Sequence, residues 1–124
     1  MPTAINTYRD LLVWQKSMDL AAEVCKLANG LNRPQWFALA DQLRRCAISL
    51  PSNIAEGRGR RSTAEFVRFV SIANGSLREL ETHLLLLARL DKAFEEETTR
   101  ILTHTDEVGR MLTGLHRSLR SKIG

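Results

Sequence analysis

The chain has 124 residues, 44% of them hydrophobic and 26% charged, with 18 Lys and Arg against 14 Asp and Glu. This composition fits a single globular domain over residues 1–124 and excludes a disordered tail, a collagen-like chain and a disulfide miniprotein. A net charge of +4 and a pI near 9.6 suit a nucleic-acid partner without requiring one.

Residues 1–10 hold no basic stretch followed by an apolar one, so no signal peptide is expected. Beyond them, four segments repeat apolar residues at alternating three- and four-residue steps, the period of a helix face. The first carries Leu11, Trp14, Met18, Ala21, Cys25 and Ala28 in one line, and Leu20, Val24 and Leu27 widen the same side. Gly30 is placed to end it in the left-handed conformation. Pro34 sits where the first turn of a second helix accepts proline. The second stripe runs Trp36, Leu39, Leu43, Cys46 and Leu50, with Ala47 and Ile54 beside it. Pro51 falls inside this pattern, removes one backbone hydrogen bond and predicts a kink. Residues 57–61, Gly-Arg-Gly-Arg-Arg, read as a loop. Ser62 and Glu65 then form a capping box, which opens a third helix bearing Phe66, Val70, Ala73, Leu77, Leu80, Leu84 and Leu87. The stripe keeps its phase across Asn74-Gly75, so one continuous helix is expected, with Gly75 and Ser76 letting a neighbouring helix come close. After a turn at residues 91–93, a fourth helix carries Phe94, Thr98, Ile101, Thr105, Val108, Leu112, Leu115 and Leu119. No segment alternates with a period of two. The pattern predicts an all-α fold, an antiparallel up-down-up-down four-helix bundle with its second helix kinked at Pro51.

The longest apolar run, residues 84–88, falls far short of the ~18 residues of a membrane span. Two cysteines without an export signal predict a reducing, cytoplasmic setting. Folding the first two helices back about residue 32 leaves Cys25 and Cys46 ~10 Å apart along the axis. A disulfide allows ~7 Å, so two buried thiols are expected. His83, His104 and His116 match no zinc spacing, and Glu79-Leu80-Glu81-Thr82-His83 lacks the Glu-x-x-His of a bundle di-iron site. No metal or cofactor is expected. Ser49, Ser52, Asn53 and Glu56 form a polar line, continued by Gln42 and Arg45, but no histidine adjoins it to activate a serine. The line reads as hydrogen bonding across a helix interface around Pro51, and the chain as a non-enzyme.

Positive charge is clustered. Residues 44–61 hold Arg44, Arg45, Arg58, Arg60 and Arg61 against Glu56 alone, and residues 110–124 hold Arg110, Arg117, Arg120 and Lys122 with no acid. Residues 91–107 carry six acids against Lys92 and Arg100. Arg58, Arg60 and Arg61 lie just before a helix N-terminus whose free N–H groups favour anions. A docked phosphate and a solvated charged loop both fit that placement. The expected patch joins these three to Arg44 or Arg45, with Arg110, Arg117 and Arg120 as the next candidate. No aromatic residue lies in the basic loop, so contacts are expected to reach backbone phosphates and not stacked bases. The first helix is apolar over a broad arc and needs more than one packed neighbour.

Residues 49–57, Ser-Leu-Pro-Ser-Asn-Ile-Ala-Glu-Gly, followed by Gly59-Arg60, resemble the signature of 23S rRNA-intervening-sequence proteins, a bacterial four-helix-bundle family. Ser49, Pro51, Ser52, Asn53, Glu56 and Gly57 are its structural signature positions here. Leu11-Leu12-Val13-Trp14-Gln15-Lys16, Gln42-Leu43-Arg44-Arg45, Phe66-Val67-Arg68-Phe69, Gly75-Ser76-Leu77-Arg78-Glu79-Leu80-Glu81-Thr82 and the stretch from Gly109-Arg110-Met111-Leu112 to Leu119 are also similar to the family. Pro34-Gln35-Trp36-Phe37 departs from it, where a more charged stretch is expected. The family's biochemical role is not established. The resemblance implies no enzymatic activity and a ring-forming homo-oligomer, a pentamer. A more distant similarity, to the accessory variability determinant of diversity-generating retroelements, implies a basic pentameric barrel that binds nucleic acid. Two readings result: a cytoplasmic homo-oligomer binding RNA or DNA non-specifically, or a scaffold whose partner is another protein. Neither involves a membrane.

Overall fold

A 3-10 turn at Tyr8–Asp10 leads into α1 (Leu12–Gly30) in the computed structural model, which describes residues 7–123. Residues 1–6 and Gly124, the ends of the expected domain, lie outside the described residues. The buried face of α1 is Val13, Ser17, Leu20, Ala21, Val24, Leu27 and Ala28. Of the line predicted to lead the core, Ala21 and Ala28 are buried, whereas Met18 is 45% exposed and Trp14 and Cys25 are half-buried. Both lines are apolar, and the interior takes Val13, Leu20, Val24 and Leu27 together with the two alanines. Gly30 ends α1 without adopting a left-handed φ. Instead the Leu31 N–H bonds to Ala28 O at 3.0 Å, and buried Leu31 closes the end.

A second 3-10 turn, Pro34–Trp36, enters α2 (Phe37–Arg58). The missing N–H of Pro34 costs nothing at this position. The helix runs without a break through buried Pro51. Ser52 Oγ donates to Ile48 O and Asn53 Nδ2 to Ser49 O, each at 2.8 Å, so the two residues after the proline both turn their side chains back onto the helix carbonyls. The helix also outruns its expected end. Gly57 and Arg58 are helical, and only residues 59–62 connect to α3 (Thr63–Leu90).

Ser62 Oγ caps α3, accepting from the Glu65 N–H at 3.1 Å, and the helix passes unbroken through Asn74-Gly75. Asp91 caps the turn Lys92–Phe94, after which α4 (Glu95–Arg120) begins. Glu95, Glu96 and Glu97 fill its first turn and Arg117 and Arg120 its last, the arrangement a helix dipole favours.

Each helix packs on its neighbour in sequence, and α4 returns to α1, giving the up-down-up-down bundle. Leu20, Leu43, Leu50, Leu77, Leu84 and Leu112 fill the interior, all at most 2% exposed. Burying each stabilises the fold by about 1.5–3 kcal/mol. The tight helix approach is at Gly57 and not at Gly75. A Cβ on Gly57 would stand 2.6 Å from Phe69 Cβ, whereas one on Gly75 would meet nothing within 4 Å. Of the two free thiols, only Cys46 is buried as expected. No described helix is long and apolar enough to cross a membrane.

Candidate nucleic-acid interface

Residues 59–62 turn the chain sharply, with the Gly59 N–H shared between Ala55 O and Glu56 O at 3.2 Å. Arg60 returns to α2, where its Nη2 donates to Glu56 Oε2 at 2.8 Å. Its guanidinium also lies 4.9 Å from the centre of the Phe69 ring, and Arg68 lies 5.1 Å from the same ring. One buried aromatic therefore holds two cations at the surface, at about 0.5–1 kcal/mol each. Arg68 is not among the expected residues, although its place beside Phe69 one turn into α3 is visible in the sequence. Arg61 is exposed, and Arg58 is half-buried. The N-terminus of α3 is already capped by Ser62, whose Oγ takes one of the free N–H groups expected to face an anion, and Glu65 in the first turn adds negative charge there.

The expected patch does not form as one unit. Arg44 stands fourteen residues before Arg58 on an unbroken helix, about 21 Å along its axis. It instead bonds Asp41 Oδ1 at 3.3 Å and Asn29 Oδ1 at 3.1 Å, at the end of the bundle where α1 turns into α2. Arg45, its exposed neighbour, shares that distance from the loop.

Another basic segment takes its place. Gly109 packs against Leu77 and Arg78, which fixes the antiparallel register of α3 and α4. Arg120 lies eleven residues further on, about 16 Å, level with the first turns of α3. The ends of α2 and α4 thus flank the start of α3, bringing Arg58, Arg60, Arg61, Arg68, Arg117 and Arg120 to one end of the bundle. Glu56 and Glu65 there are paired with Arg60 and Arg68. Arg61, Arg117 and Arg120 have no carboxylate partner among the described residues. Arg110 sits higher on α4, paired with Asp106.

The signature residues divide by role. Ser49 Oγ meets Ser76 Oγ across the α2–α3 seam at 2.8 Å, and Asn53 Nδ2 donates to Ser49 Oγ at 2.8 Å. Ser52 and Glu56 are exposed and bond only within α2 and its following turn. Burial pushes the Cys46 thiol pKa up, Glu79 adds to the shift and Arg45 opposes it, which makes this thiol a poor nucleophile. Among the described residues, no group of three His, Cys, Asp or Glu is placed to hold a metal ion.

Two further clefts mark the surface. Between α1 and α4 lies one of about 620 Å³ lined by Lys16, Lys26, Glu23, Arg100, His104 and Glu107. Glu23 accepts from Arg100, its Oε1 lies 2.6 Å from His104 Nδ1, and Lys16 stands 4.0 Å from Glu107. Between α1 and α2 is an apolar groove of about 440 Å³, lined by Trp14, Met18, Cys25, Ile48, Pro51 and Ala55 among others.

Known proteins share this architecture. A crystal structure of a protein of unknown function from the S23 ribosomal protein family of Bacteroides thetaiotaomicron superposes with a TM-score of 0.80 at 27% identity. The match covers 85% of this chain and 98% of that one. No curated protein matches significantly. The model of the 23S rRNA-intervening sequence proteins matches residues 9–114, which include the Ser49–Ser76 contact, the Gly57 approach and the register of α3 and α4. This chain belongs to the family of 23S rRNA-intervening sequence proteins.

Proposed function

We propose that the protein is a non-enzymatic homo-oligomer whose basic end binds the phosphate backbone of RNA or DNA without sequence preference. What carries the reading is the convergence of Arg58, Arg60, Arg61 and Arg68 with Arg117 and Arg120, segments far apart in sequence, at one end of the bundle. Phosphate contacts of this kind give binding that is tolerant of sequence and strongly salt-dependent. Repetition of the patch around a ring would sum weak contacts along one polyanion. The distant resemblance to the accessory variability determinant agrees with this reading. For the assembly, the support is the apolar groove between α1 and α2, where Met18 and Ile48 are 45% and 53% exposed. The same groove favours the second reading, a scaffold for another protein, if the chain is monomeric.

The test is fluorescence anisotropy with labelled oligonucleotides over a range of salt, beside light scattering. Arg58, Arg60 and Arg61 replaced together by Glu should preserve helicity and particle size, because these side chains stand outside the core. Affinity should fall, and the salt slope should become shallower by about 0.7 to 0.9 for each phosphate the variant no longer neutralises. Unchanged affinity and slope rule out the loop arginines. A parent chain that binds no nucleic acid at low salt removes the reading altogether, and a 14 kDa particle at micromolar concentration removes the ring.

A further inference from the structure

Gln15, Ala22 and Asn29 stand along the crest of α1, all exposed and two turns apart. The two flanks of this crest differ in kind. Toward α2 it presents Met18 and Cys25, which line the apolar groove. Toward α4 it presents Asp19 and Lys26, which line the charged cleft. Ala22 lines both, so the crest between the two flanks is low. The other charged groups of the cleft are committed: Glu23 to Arg100 and His104, Glu97 to Arg100, and Glu107 to Lys16. Asp19 and Lys26 have no ion-pair partner among the described residues, although their charges are opposite and they share one flank two turns apart. One helix thus offers outward both an uncovered apolar strip and an unpaired acid and base.

We propose that this face binds a second copy of the chain, with the two α1 helices packed antiparallel about a two-fold axis beside Ala22. The proposal rests on the homo-oligomer reading above and assigns it a surface and a symmetry. A two-fold axis across the helix reverses its direction and keeps each flank on its own side. Apolar flank then meets apolar flank, and charged meets charged. An axis passing between Ala22 and Glu23 sets Asp19 of each copy opposite Lys26 of the other, two ion pairs each about 5 Å along the helix from the axis. On the apolar side, the bond from Arg44 to Asn29 fixes the register of α1 and α2 and puts Ile48 level with Cys25. The same rotation brings Met18 of each copy to Ile48 and Cys25 of the other. A parallel pairing instead lays Met18 and Cys25 on Asp19 and Lys26 of the other copy, so complementarity selects the antiparallel one. The alanine at the crossing permits the short end of the 8–10 Å range of helix separations, about 8 Å. An isologous contact of this kind closes at two subunits. It also sets the two basic ends at opposite poles of the dimer, because α1 starts at the end where α2 finishes.

The experiment is sedimentation of the full chain at micromolar concentration, where the particle should have twice the 14.0 kDa mass of the chain. Met18→Glu should sediment as a single chain with unchanged helicity, because Met18 is 45% exposed and lies outside the core. Asp19→Lys and Lys26→Asp each set like charges opposite one another at two places, and each should weaken the dimer about tenfold. The chain carrying both changes restores the pairs and should recover the parent affinity. Cross-linking reads the axis directly. Ala22→Cys in a Cys25→Ser background should form an interchain disulfide on mild oxidation, since the two copies of residue 22 stand about 1.5 Å apart along the helix direction. The parent should form none through Cys25, whose copies are about 7.5 Å apart in that direction alone. A parent that remains a single chain overturns this proposal and the assembly reading together. A larger particle that survives Met18→Glu and forms no disulfide at residue 22 overturns this face alone and leaves assembly to another surface. Loss of the particle in Met18→Glu, with neither recovery in the double charge variant nor cross-linking at residue 22, overturns the two-fold arrangement.

Discussion

Between α2 and α3 the backbones come so close that a methyl group on Gly57 would stand 2.6 Å from Phe69 Cβ, whereas α1 and α4 leave a cleft of about 620 Å³ between them. The first seam is closed by shape and by a hydrogen bond between two small side chains, Ser49 and Ser76. The second is bridged by charged groups: Glu23 to Arg100 and His104, and Lys16 to Glu107. Arg100, His104, Lys16 and Glu107 are 41% to 54% exposed, so salt screens these bridges and each contributes about 0–1 kcal/mol. Steric fit has no such dependence on the solvent. The bundle therefore has one edge at which it resists opening and one at which local opening is cheapest.

The largest effect is expected where two helical glycines meet different surroundings. Gly57→Ala forces Phe69 or the helix to move, and overpacking of this kind costs about 1–3 kcal/mol, more than the ~1 kcal/mol gained in helix propensity. Gly75→Ala meets open space on a helix and should stabilise by up to ~1 kcal/mol. Chemical denaturation of both proteins reads the two signs. A neutral or stabilising Gly57→Ala would mean the seam is not limited by backbone approach.

Next in size is the hydrogen bond across the same seam. Ser49→Ala strands the buried Ser76 hydroxyl and removes one acceptor from Asn53, which should cost about 1–2 kcal/mol. Ser52→Ala, one turn away on the exposed side, loses a bond within its own helix and should change stability by only about 0.5 kcal/mol. A double-mutant cycle with Ser76→Ala should show coupling between residues 49 and 76. Additive effects would place the energy of the signature elsewhere.

The contrast between the seams also marks what is legible in the sequence. Four helices, the Ser62 cap and the continuity of α3 through Asn74-Gly75 follow from periodicity and local chemistry, and all are present. The failures concern questions that periodicity does not address. Glycine signals either a turn or a close approach, and only the partner helix decides: Gly57 reads as loop and Gly75 as contact, and the packing reverses both. On α1, two adjacent lines are apolar, so the pattern finds the helix but not its rotation, and the line of Trp14, Met18 and Cys25 faces the outer groove. The expected basic patch joins neighbours in sequence. An unbroken α2 carries Arg44 and Arg45 away from the loop, while the antiparallel return of α4 brings Arg117 and Arg120 to it. The contact of Arg78 with Gly109 gives no signal in the sequence, because the glycine lies thirty-one residues away on another helix.

The α1–α4 seam gives a smaller effect with a distinct signature. Glu23→Gln removes the charge that faces both Arg100 and His104, at a cost of about 0.5–1 kcal/mol at low ionic strength. The difference from the parent should shrink in ~1 M salt, where the screening length is about 3 Å. The Gly57→Ala difference should persist in the same salt. Hydrogen exchange should show faster opening of α1 and α4 near Glu23 in the variant, with α2 and α3 unaffected. If salt leaves the Glu23→Gln difference intact, the contacts in the cleft act by packing and the contrast between the seams fails.

The smallest effect tests whether the shape-fitted seam is as indifferent to pH as it is to salt. Its exception is Cys46, buried on α2, whose thiol is held above its ordinary value of 9.0 first by burial, then by Glu79, against an opposing Arg45. The folded state therefore keeps the proton longer than the unfolded chain does. Where the unfolded thiol has ionised and the folded one has not, the unfolded state binds fewer protons, so stability falls as pH rises. The contribution of Cys46 is complete below the unfolded pKa and is lost as pH climbs through the folded one. Comparing the parent with Cys46→Ala isolates this group from the Lys and Tyr that titrate in the same range. The stability gap between them should be constant from pH 6 to about 8 and should narrow in the parent's disfavour above about pH 9. Alkylation supplies an independent reading: half-buried Cys25 should react well before Cys46 in the native protein. A gap that stays level across the alkaline range, together with equal labelling of the two thiols, would show that Cys46 is not sealed in the seam.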